Sequence, residues 1–406
     1  MPDAPTADRE WTVESHPEVA RQKSVRLQIW SAHFEPQRSG IGPLVGTAAR
    51  ALHDRGVRTS VVAAHPFYPE PLWGRSVKPS RRVEAGIEVT RLPIYSGRAS
   101  VSRRLVQEAS YAASLTVATP LLRRPDAIVA VSPMFLALAP AMAAARARAI
   151  PWILWLQDIL PDAAVATAMV GEDGLSLRAA RRLESWFYRS ASRIIVIADS
   201  FVENLLAKGV DAAKIIRIYN PATEPLRSQG SGQLGDGRTV VTMGNVGFSQ
   251  NLKAVVSAFE ASSELERIGG RLVLAGDGAA GGEVRSVIST DRVRLTGFLE
   301  WAQLEAELQP ASLALVSQKY PREGLDFNVP SKLMNFMARG LPVVAAVRRN
   351  SEVATIIERS GAGWIVDADR LDLMGATIAA ALADPAERLR RGQAGRRFAA
   401  DNFDPA

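Results

Sequence analysis

The sequence predicts an α/β protein made of two consecutive doubly wound domains. Short apolar runs rich in Val and Ile alternate with amphipathic stretches from Val25 onward, which is typical of parallel strands covered on both faces. The pattern stops at a Gly-, Ser- and Pro-rich stretch within residues 221–238, interpreted as a linker, and then starts again. The chain of 406 residues is also too long for one core, since single cores stop growing near ~250–300 residues.

Six strands are predicted in the first domain, residues 25–220, at 25–30, 58–64, 87–92, 127–132, 152–157 and 193–197. Helical patterns lie between them, among them 42–55, 133–149 and 176–190. In the last of these, apolar side chains recur at spacings of three and four, with arginines on the opposite face. This alternation predicts a parallel sheet.

The second domain, residues 239–385, repeats the organisation, with strands predicted at 239–243, 272–275, 293–296, 313–317, 342–346 and 364–366. Ligands bind beyond the carboxyl ends of such strands, so two domains of this kind place a cleft between them. The polar residues 1–24 lack the apolar segment of a signal peptide and are predicted to be a disordered tail. There is no run of ~20 apolar residues, so no membrane-spanning helix is predicted.

Composition excludes several kinds of site. The chain has no cysteine, which excludes a disulfide scaffold, a Cys-zinc site, an iron–sulfur cluster and a thiol nucleophile. Residues 1–220 hold 28 Lys and Arg against 20 Asp and Glu, whereas the rest of the chain holds 21 against 22. This basic first half fits nucleic acid, anionic lipid or a phosphorylated substrate as a partner, or a surface that is merely solubilising.

A glycine-containing loop follows the first predicted strand. Gly40 and Gly42 lie where this loop opens a helix, and a helix N-terminus favours an anion. The spacing is not that of the dinucleotide fingerprint, because the next glycine, Gly46, comes one residue late. An NAD-dependent enzyme is therefore disfavoured, and a purely structural glycine turn is the alternative.

Two further glycine loops occur in the second domain. Gly244 and Asn245 follow its first strand, and Asp277 and Gly278 follow its second. Loops of this kind that lead into helices cradle phosphates with backbone amides. Because the two strands are predicted to be adjacent in one sheet, the pair of loops predicts a phosphorylated ligand.

Lys332 lies in the first turn of a helix that is predicted to start near Pro330 and to end at Gly340. A cation at this end opposes the helix dipole, and a bound diphosphate would remove the conflict. The alternative is a lysine that simply faces solvent. Asp158 stands at the end of a hydrophobic strand and is predicted to face the cleft, where a carboxylate can position or deprotonate a hydroxyl.

Other polar residues are interpreted as structural. Asp162 is expected to cap a helix, and Asp367 and Asp369 to form a turn and a cap rather than a metal site. No metal-ligand spacing is present among the four histidines, His16, His33, His53 and His65. Neither a metal nor a cofactor is predicted.

Taken in order, these motifs resemble those of the family 4 glycosyltransferases of GT-B fold, the retaining class that uses nucleotide sugars. The similarity is strongest to the branch that builds capsular and exopolysaccharides, such as the colanic acid glycosyltransferases, and it spans about residues 25–400. The motifs are Glu35-Pro with Gly40-Ile-Gly42, His65-Pro-Phe-Tyr-Pro69, Gln157-Asp158, Arg182-Leu-Glu184, Gly209-Val, Tyr219-Asn-Pro221, Gly244-Asn, Ala275-Gly-Asp-Gly278, Gly297-Phe and Pro330-Ser-Lys332.

The resemblance implies two facing Rossmann-like domains, with the acceptor on the first and the nucleotide-sugar donor on the second. A final helix, residues 386–406, would cross back toward the first domain. Gly40 and Gly42 would border the donor phosphate and the acceptor, and Asp158 would lie near the reacting hydroxyl. The residues implied to hold the diphosphate and nucleoside are Gly244, Asn245, Asp277, Gly278, Ser331 and Lys332.

Enzymes of this class lack a clear protein nucleophile, and the leaving diphosphate helps to take the acceptor proton on the same face. The protein's share is then positioning and stabilisation of charge, with Lys332 and Asp158 as the candidate catalytic residues. Two positions depart from the family pattern. Asn335 stands where relatives usually carry a ribose-contacting glutamate, and residues 248–250 lack the Lys or Arg that relatives often carry there.

The expected function is transfer of a sugar from a UDP or GDP sugar to a glycan hydroxyl in cell-surface polysaccharide synthesis. The departure at Asn335 keeps a second class open on the same fold, either a nucleotide-sugar epimerase or a degenerate sugar-nucleotide binding protein. No nucleic-acid partner is expected.

Residues 96–125 carry five arginines and one acid, Glu108. A helix there would have an apolar side and could lie on an anionic bilayer without crossing it. A glycan acceptor on a polyprenyl diphosphate carrier would require this position, on the cytoplasmic face of the membrane. The alternative is an Arg-capped core helix that packs against the first sheet. The apolar side would consist of Leu105, Val106, Ala109, Ala112, Ala113 and Thr116.

Overall fold

A computed structural model of the protein describes residues 24–37, 40–67, 78–96, 101–159, 175–222, 235–319 and 329–404. The expectations for residues 1–23 of the tail, for Asp162 and for most of the linker fall outside these ranges. The described residues form two α/β domains, each built around one sheet.

The first sheet has eight strands in the order β3-β4-β2-β1-β5-β6-β7-β8. All neighbouring strands are parallel except β3 and β4, which form an antiparallel edge hairpin. The strands are β1 (Arg26–Trp30), β2 (Arg58–Ala64), β3 (Ser80–Glu84), β4 (Ile87–Leu92), β5 (Ala127–Val131), β6 (Trp152–Leu156), β7 (Arg193–Val196) and β8 (Ile215–Arg217).

The second sheet has six strands in the order β11-β10-β9-β12-β13-β14, all parallel. The inner strands are almost wholly buried, because helices cover both faces. The strands are β9 (Thr239–Met243), β10 (Arg271–Ala275), β11 (Val293–Gly297), β12 (Ala311–Ser317), β13 (Val343–Val347) and β14 (Gly363–Asp367).

Helices follow most strands and carry the chain back across each sheet. In the first domain they are α1 (Ile41–Asp54), α2 (Val101–Ala118), α3 (Leu138–Ala147), α4 (Leu175–Ser190) and α5 (Asp199–Ala207). In the rest of the chain they are α6 (Leu252–Glu260), α7 (Ser263–Arg267), α8 (Gly281–Arg285), α9 (Trp301–Leu308), α10 (Ser331–Arg339), α11 (Glu352–Ser360), α12 (Met374–Ala383) and α13 (Pro385–Asn402).

The predicted fold class is confirmed, and all twelve predicted strands are present with ends shifted by at most two residues. The strands β3 and β8 were not predicted. β3 contains arginines and lies at the edge, where charged side chains stay in solvent, and β8 has only three residues. The helix predicted at 133–149 begins later, because a turn and a short 3₁₀ segment precede Leu138.

Contacts join the two domains beside the point where the chain passes between them. The carboxylate of Glu352, at the start of α11, accepts hydrogen bonds from the backbone amides of Asp199 (3.1 Å) and Ser200 (3.0 Å), which begin α5. Beyond α13, the ring of Phe403 packs on Tyr219, and its carbonyl oxygen accepts a hydrogen bond from the amide of Ala222 at 2.9 Å. Phe403, after α13, therefore contacts residues on either side of the start of the linker.

Candidate functional site

The two glycine loops of the second domain interlock at the carboxyl ends of β9 and β10. The amide of Gly244 donates to the carbonyl oxygen of Ala275 at 2.9 Å, and the amide of Val246 donates to that of Asp277 at 2.9 Å. Because β9 and β10 are neighbours in the sheet, their loops leave it side by side. The prediction that these strands are adjacent is confirmed.

Close packing between the two loops explains why Gly276 and Gly278 have no side chain. A Cβ atom on Gly276 would lie 1.8 Å from the carbonyl oxygen of Gly244, and one on Gly278 would lie 2.6 Å from Asn245 Oδ1. Gly244 itself has a φ of 99° and open space where a Cβ would be, and both Gly244 and Asn245 are exposed. The packed glycines hold the loops together, and the Gly244 side remains accessible to a ligand.

Lys332 is buried at the start of α10, with 6% of its surface exposed. Its Nζ donates a hydrogen bond to Gln250 Oε1, in the loop after β9, and lies 3.5 Å from Thr242 Oγ1 on β9. Burial lowers the pKa of Lys332 to about 7. The alternative of a solvent-facing lysine is therefore excluded.

The surroundings of Lys332 suit an anion. The first amides of α10 have no partner within the helix and carry the positive end of its dipole. Ser331 is exposed at this end, and Asn335 is buried one turn further on. As predicted, α10 follows Pro330 and ends at Gly340, which has a φ of 80°. A diphosphate next to Lys332 would offset both the buried cation and the unfavourable dipole.

The first residues of the loop after β1 contact α1 and β4. Glu35 pairs with Arg50 of α1 at 2.6 Å, and its carbonyl oxygen accepts a hydrogen bond from the buried guanidinium of Arg91. A Cβ atom on Gly42 would lie 2.9 Å from the carbonyl oxygen of Gln37, so Gly42 packs against this loop. Gly40, with a φ of 68° and open space around its Cα, is exposed at the helix N-terminus.

Asp158 directly follows β6, and its backbone amide donates to Ser132 Oγ at 3.2 Å. Together with Glu184 and Tyr188 of α4, it lines a cavity of about 10 Å³. Burial raises the pKa of Asp158 to about 6. The hydrogen bonds and cavity contacts described for Asp158 all lie within the first domain.

Asp367 forms the predicted turn, whereas the predicted cap is not formed, because the next helical segments are capped by Arg370 and Leu373. The amide of Asp369 donates to Asp367 Oδ1 at 2.9 Å, and Asp369 pairs with Lys319 at 2.8 Å. His65 Nε2 is 2.8 Å from the carbonyl oxygen of Lys78, and His33 Nδ1 is 2.9 Å from Gln37 Oε1. Within the described ranges, no three His, Asp or Glu side chains lie close enough to hold a metal ion.

Sequence reasoning missed the partners that hold Lys332. Gln250 is 82 residues away in the chain and Thr242 is 90 residues away, so no local pattern links either of them to the helix. The one available signal was the absence of a basic residue at 248–250, since this loop lies beside the lysine that a second cation would repel.

Two α/β domains joined in this order, with interlocked glycine loops on the second, form the GT-B fold. Residues 39–221 match the family described as "Glycosyl transferase 4-like domain", and residues 237–384 match "Glycosyl transferases group 1". The chain therefore belongs to family 4 of the GT-B glycosyltransferases.

Two curated relatives carry glycosyltransferase names. The colanic acid biosynthesis glycosyl transferase WcaI of Escherichia coli K12 is 24% identical over 385 residues, which cover 89% of this chain and 93% of WcaI. The glycosyltransferase WbjE of Pseudomonas aeruginosa is 28% identical over 225 residues, and this match spans 52% of the chain and only 55% of WbjE.

Solved structures share the fold across nearly the whole chain. HepE of Anabaena, solved in complex with UDP, has a TM-score of 0.61 and 15% identity, with 94% of this chain and 96% of HepE covered. Sucrose-phosphate synthase of Thermosynechococcus elongatus has a TM-score of 0.65 and 16% identity, with 94% and 95% covered. Among the described helices, none combines the length and hydropathy that crossing a bilayer requires.

Proposed function

We propose that the protein transfers a sugar from a UDP or GDP sugar to a hydroxyl of a glycan acceptor, with retention of configuration. The observation that carries the proposal is the buried Lys332, placed at a helix N-terminus against Thr242 and Gln250 and next to the open Gly244 loop. A buried, poorly solvated cation is costly unless an anion compensates it, and a nucleotide sugar supplies a diphosphate. The UDP and UDP-glucose complexes of HepE support this choice of ligand.

In the proposed complex, the amides of the loop at Gly244 and Asn245 and those at the start of α10 bind the phosphates. Asp277 and Gly278 border the nucleoside, and Ser331 contributes its exposed hydroxyl. Asn335 replaces the usual glutamate as a neutral hydrogen-bonding partner for a ribose hydroxyl. Gly40 and Gly42 approach the donor phosphate and the acceptor from the first domain.

During transfer, the bond between the anomeric carbon and the diphosphate oxygen breaks, and the acceptor oxygen bonds to that carbon on the same face. The acceptor proton passes to the departing diphosphate. Negative charge grows on the leaving oxygen, and protonated Lys332 together with the α10 amides stabilises it. Asp158 has a pKa near neutrality and is proposed to orient the acceptor hydroxyl.

The proposal extends to an acceptor glycan on a polyprenyl diphosphate carrier, used in cell-surface polysaccharide synthesis at the cytoplasmic face of the membrane. The name of WcaI, which refers to colanic acid biosynthesis, supports this pathway class. The basic first half of the chain supports an anionic carrier.

We propose that no metal ion holds the donor, because Lys332 and the amides of α10 would compensate the charge of the diphosphate in the proposed complex. Turnover is then expected to be unchanged when EDTA is added to the assay. A rate that EDTA abolishes and Mg²⁺ or Mn²⁺ restores would contradict this part of the proposal.

Product analysis with a panel of UDP and GDP sugars tests the function. The expected result is release of UDP or GDP together with a product of the same anomeric configuration as the donor, read by NMR. Asn335 favours a second candidate, a degenerate sugar-nucleotide binding protein or an epimerase. Binding without nucleotide release would favour the degenerate protein, and conversion of the nucleotide sugar into its epimer would favour the epimerase.

A further inference from the structure

Helix α2 has two contrasting faces. Gln107, Tyr111 and Leu115 are buried against the first sheet, and Tyr111 donates a hydrogen bond from its hydroxyl to the carbonyl oxygen of Val62 at 3.1 Å. This inward face fits the core-helix alternative raised from the sequence. It fixes which side of α2 points away from the domain.

The outward face of α2 is apolar, although a surface helix normally presents polar residues to solvent. Val117, in the last turn of α2, is 77% exposed, and Leu121, just beyond the helix end, is 83% exposed. Leu105 and Val106, near the start of the helix, are more than half exposed. The small residues Ala109, Ala113 and Thr116 lie exposed between them. The exposed stripe thus runs from Leu105 to Val117 within the 18-residue helix, roughly 18 Å along its axis, and continues at Leu121.

The one acid of α2 does not interrupt this stripe. Glu108 is partly buried, and its carboxylate accepts a hydrogen bond from the amide of Leu136 at 3.1 Å, beside α3. Burial raises the pKa of Glu108. The carboxylate of Glu108 therefore points toward the protein and not toward the outward face of α2.

Grooves continue the stripe on both sides of α2. One, of about 510 Å³, lies between α2 and the β3–β4 edge; its lining combines the apolar Leu92, Pro93 and Leu122 with the charged Arg81 and Glu88 on the strands. The other groove, of about 640 Å³, lies between α2 and α3. Its lining is almost entirely apolar and includes the side chains of Pro140 and Trp186. The two grooves share Ala113, so they and the helix form one largely apolar surface.

Arginines flank both ends of this surface. Arg103 and Arg104 are exposed in the first turn of α2, and Arg123 and Arg124 are exposed just beyond its end. Arg123 has 80% of its side chain exposed and lies 4.0 Å from the carboxylate of Glu88, a long ion pair that leaves most of the guanidinium in solvent. A stripe of apolar side chains between basic ends matches the interface of an anionic bilayer, with acyl chains below and phosphates above. A protein partner would not by itself require cations at both ends.

We propose that the outward face of α2, with its two grooves and Arg103, Arg104 and Arg123, docks the first domain on the surface of a bilayer that contains anionic lipid. The apolar side chains enter the headgroup boundary and the arginines pair with lipid phosphates. Only the biological role of this docking rests on the proposed function: it would bring the enzyme to an acceptor on a lipid carrier. Vesicle binding itself requires no nucleotide sugar.

Co-sedimentation of the full chain with vesicles tests the surface. Binding to phosphatidylglycerol-containing vesicles is expected at 50 mM salt, to weaken at least tenfold at 500 mM, and to be absent with pure phosphatidylcholine. Reversing Arg103, Arg104 and Arg123 to Glu should remove binding. Arg124 is left in place because its guanidinium donates a hydrogen bond to the carbonyl oxygen of Arg148.

Three further variants sharpen the test. Changing the same three arginines to Gln removes their charge without adding acids, and should lower vesicle binding at least tenfold. This variant replaces the Glu variant as the test if the Glu variant folds poorly. Val117→Ser with Leu121→Ser should weaken binding while leaving its salt dependence intact. The matched control reverses three exposed arginines of the second domain, Arg238, Arg267 and Arg271, and should bind like the wild type.

Vesicle binding that is unchanged in the Arg→Gln variant, or absent in the wild type at 50 mM salt, would overturn the proposal. A concentration-dependent dimer that loses its association in the Val117 and Leu121 variant, with no vesicle binding, would assign the surface to a second copy of the chain instead. Nucleotide-sugar binding measured on the same samples separates the two proposals, because a variant can lose vesicles and still bind the donor.

Discussion

The carboxyl edges of the two sheets are organised differently. In the second domain, the loops after β9 and β10 share backbone hydrogen bonds, and Lys332 contacts Thr242 and Gln250 across the same region. In the first domain, Gly40 is open at the start of α1, whereas Asp158 lines a small cavity beside α4. The groups of the proposed donor site thus contact one another within one domain, whereas no contact is described between Gly40 and Asp158 on the proposed acceptor side.

The largest expected effect comes from removing the cation of the second domain. Lys332→Met should lower turnover by about 10²–10³-fold, because it removes a donor aimed at charge that develops in the transition state. Affinity for a nucleotide sugar should fall by roughly 1.5–3 kcal/mol, the usual value of a hydrogen bond to a charged group. Steady-state kinetics and calorimetric titration measure the two losses.

The control for Lys332→Met is the nucleoside without phosphates, which should bind both proteins alike. Equal losses for the nucleoside and the nucleotide sugar would mean that Lys332 acts through folding rather than through charge.

A smaller effect is expected on the acceptor side. Asp158→Asn should lower kcat/KM by about 10²-fold while leaving donor affinity unchanged, because the amide keeps the shape but loses the charge that orients a hydroxyl. Since the pKa of Asp158 is about 6, wild-type kcat/KM should rise with pH through 6, and the variant should lose that rise. A variant that retains both the rate and the pH profile would remove Asp158 from the acceptor side.

The pH dependence of donor binding tests the charge of Lys332 without a mutation. Burial lowers the pKa of Lys332 to about 7, so the cation is present below pH 7 and is lost above it. Affinity for a nucleotide sugar, whose phosphates do not titrate in this range, should fall by up to tenfold for each pH unit above 7. Lys332→Arg stays charged, so calorimetric titrations of this variant should show no such fall between pH 6 and 9.

The same pKa has a consequence for stability. In the unfolded chain the lysine keeps its proton up to about 10.5, so below pH 7 both states are protonated and the cost of burying the cation is fully present. Without a ligand, Lys332→Met should therefore be more stable than the wild type, and by the largest margin below pH 7. The difference should shrink as pH rises from 7 toward 10.5, as denaturant unfolding at several pH values would show.

How far the sequence predicts this molecule depends on whether local periodicity or long-range contact sets each feature. Buried strands and the ends of α10 follow from Val- and Ile-rich runs, from Pro330 and from Gly340, all of which act locally. The pairing of Lys332 with Gln250 joins residues 82 positions apart, and no periodicity encodes it.

The position of Asp158 is an instructive case between these two. The period of two along β6 puts Asp158 on the same face as Leu154 and Leu156, and all three line the cavity beside α4. The alternation along β6 therefore indicates that the side chain of Asp158 points toward the cavity beside α4. The sequence prediction used only the position of Asp158 at the end of the strand.

The central claim is that the second domain binds a nucleotide diphosphate sugar next to Lys332. Thermal unfolding of the wild type with UDP, GDP and their sugars tests it most directly. A ligand at a hundredfold excess over its Kd should stabilise the protein by about 2.7 kcal/mol and raise the melting temperature, and this rise should be much smaller in Lys332→Met. A melting temperature that no nucleoside diphosphate or nucleotide sugar raises at millimolar concentration would contradict the claim.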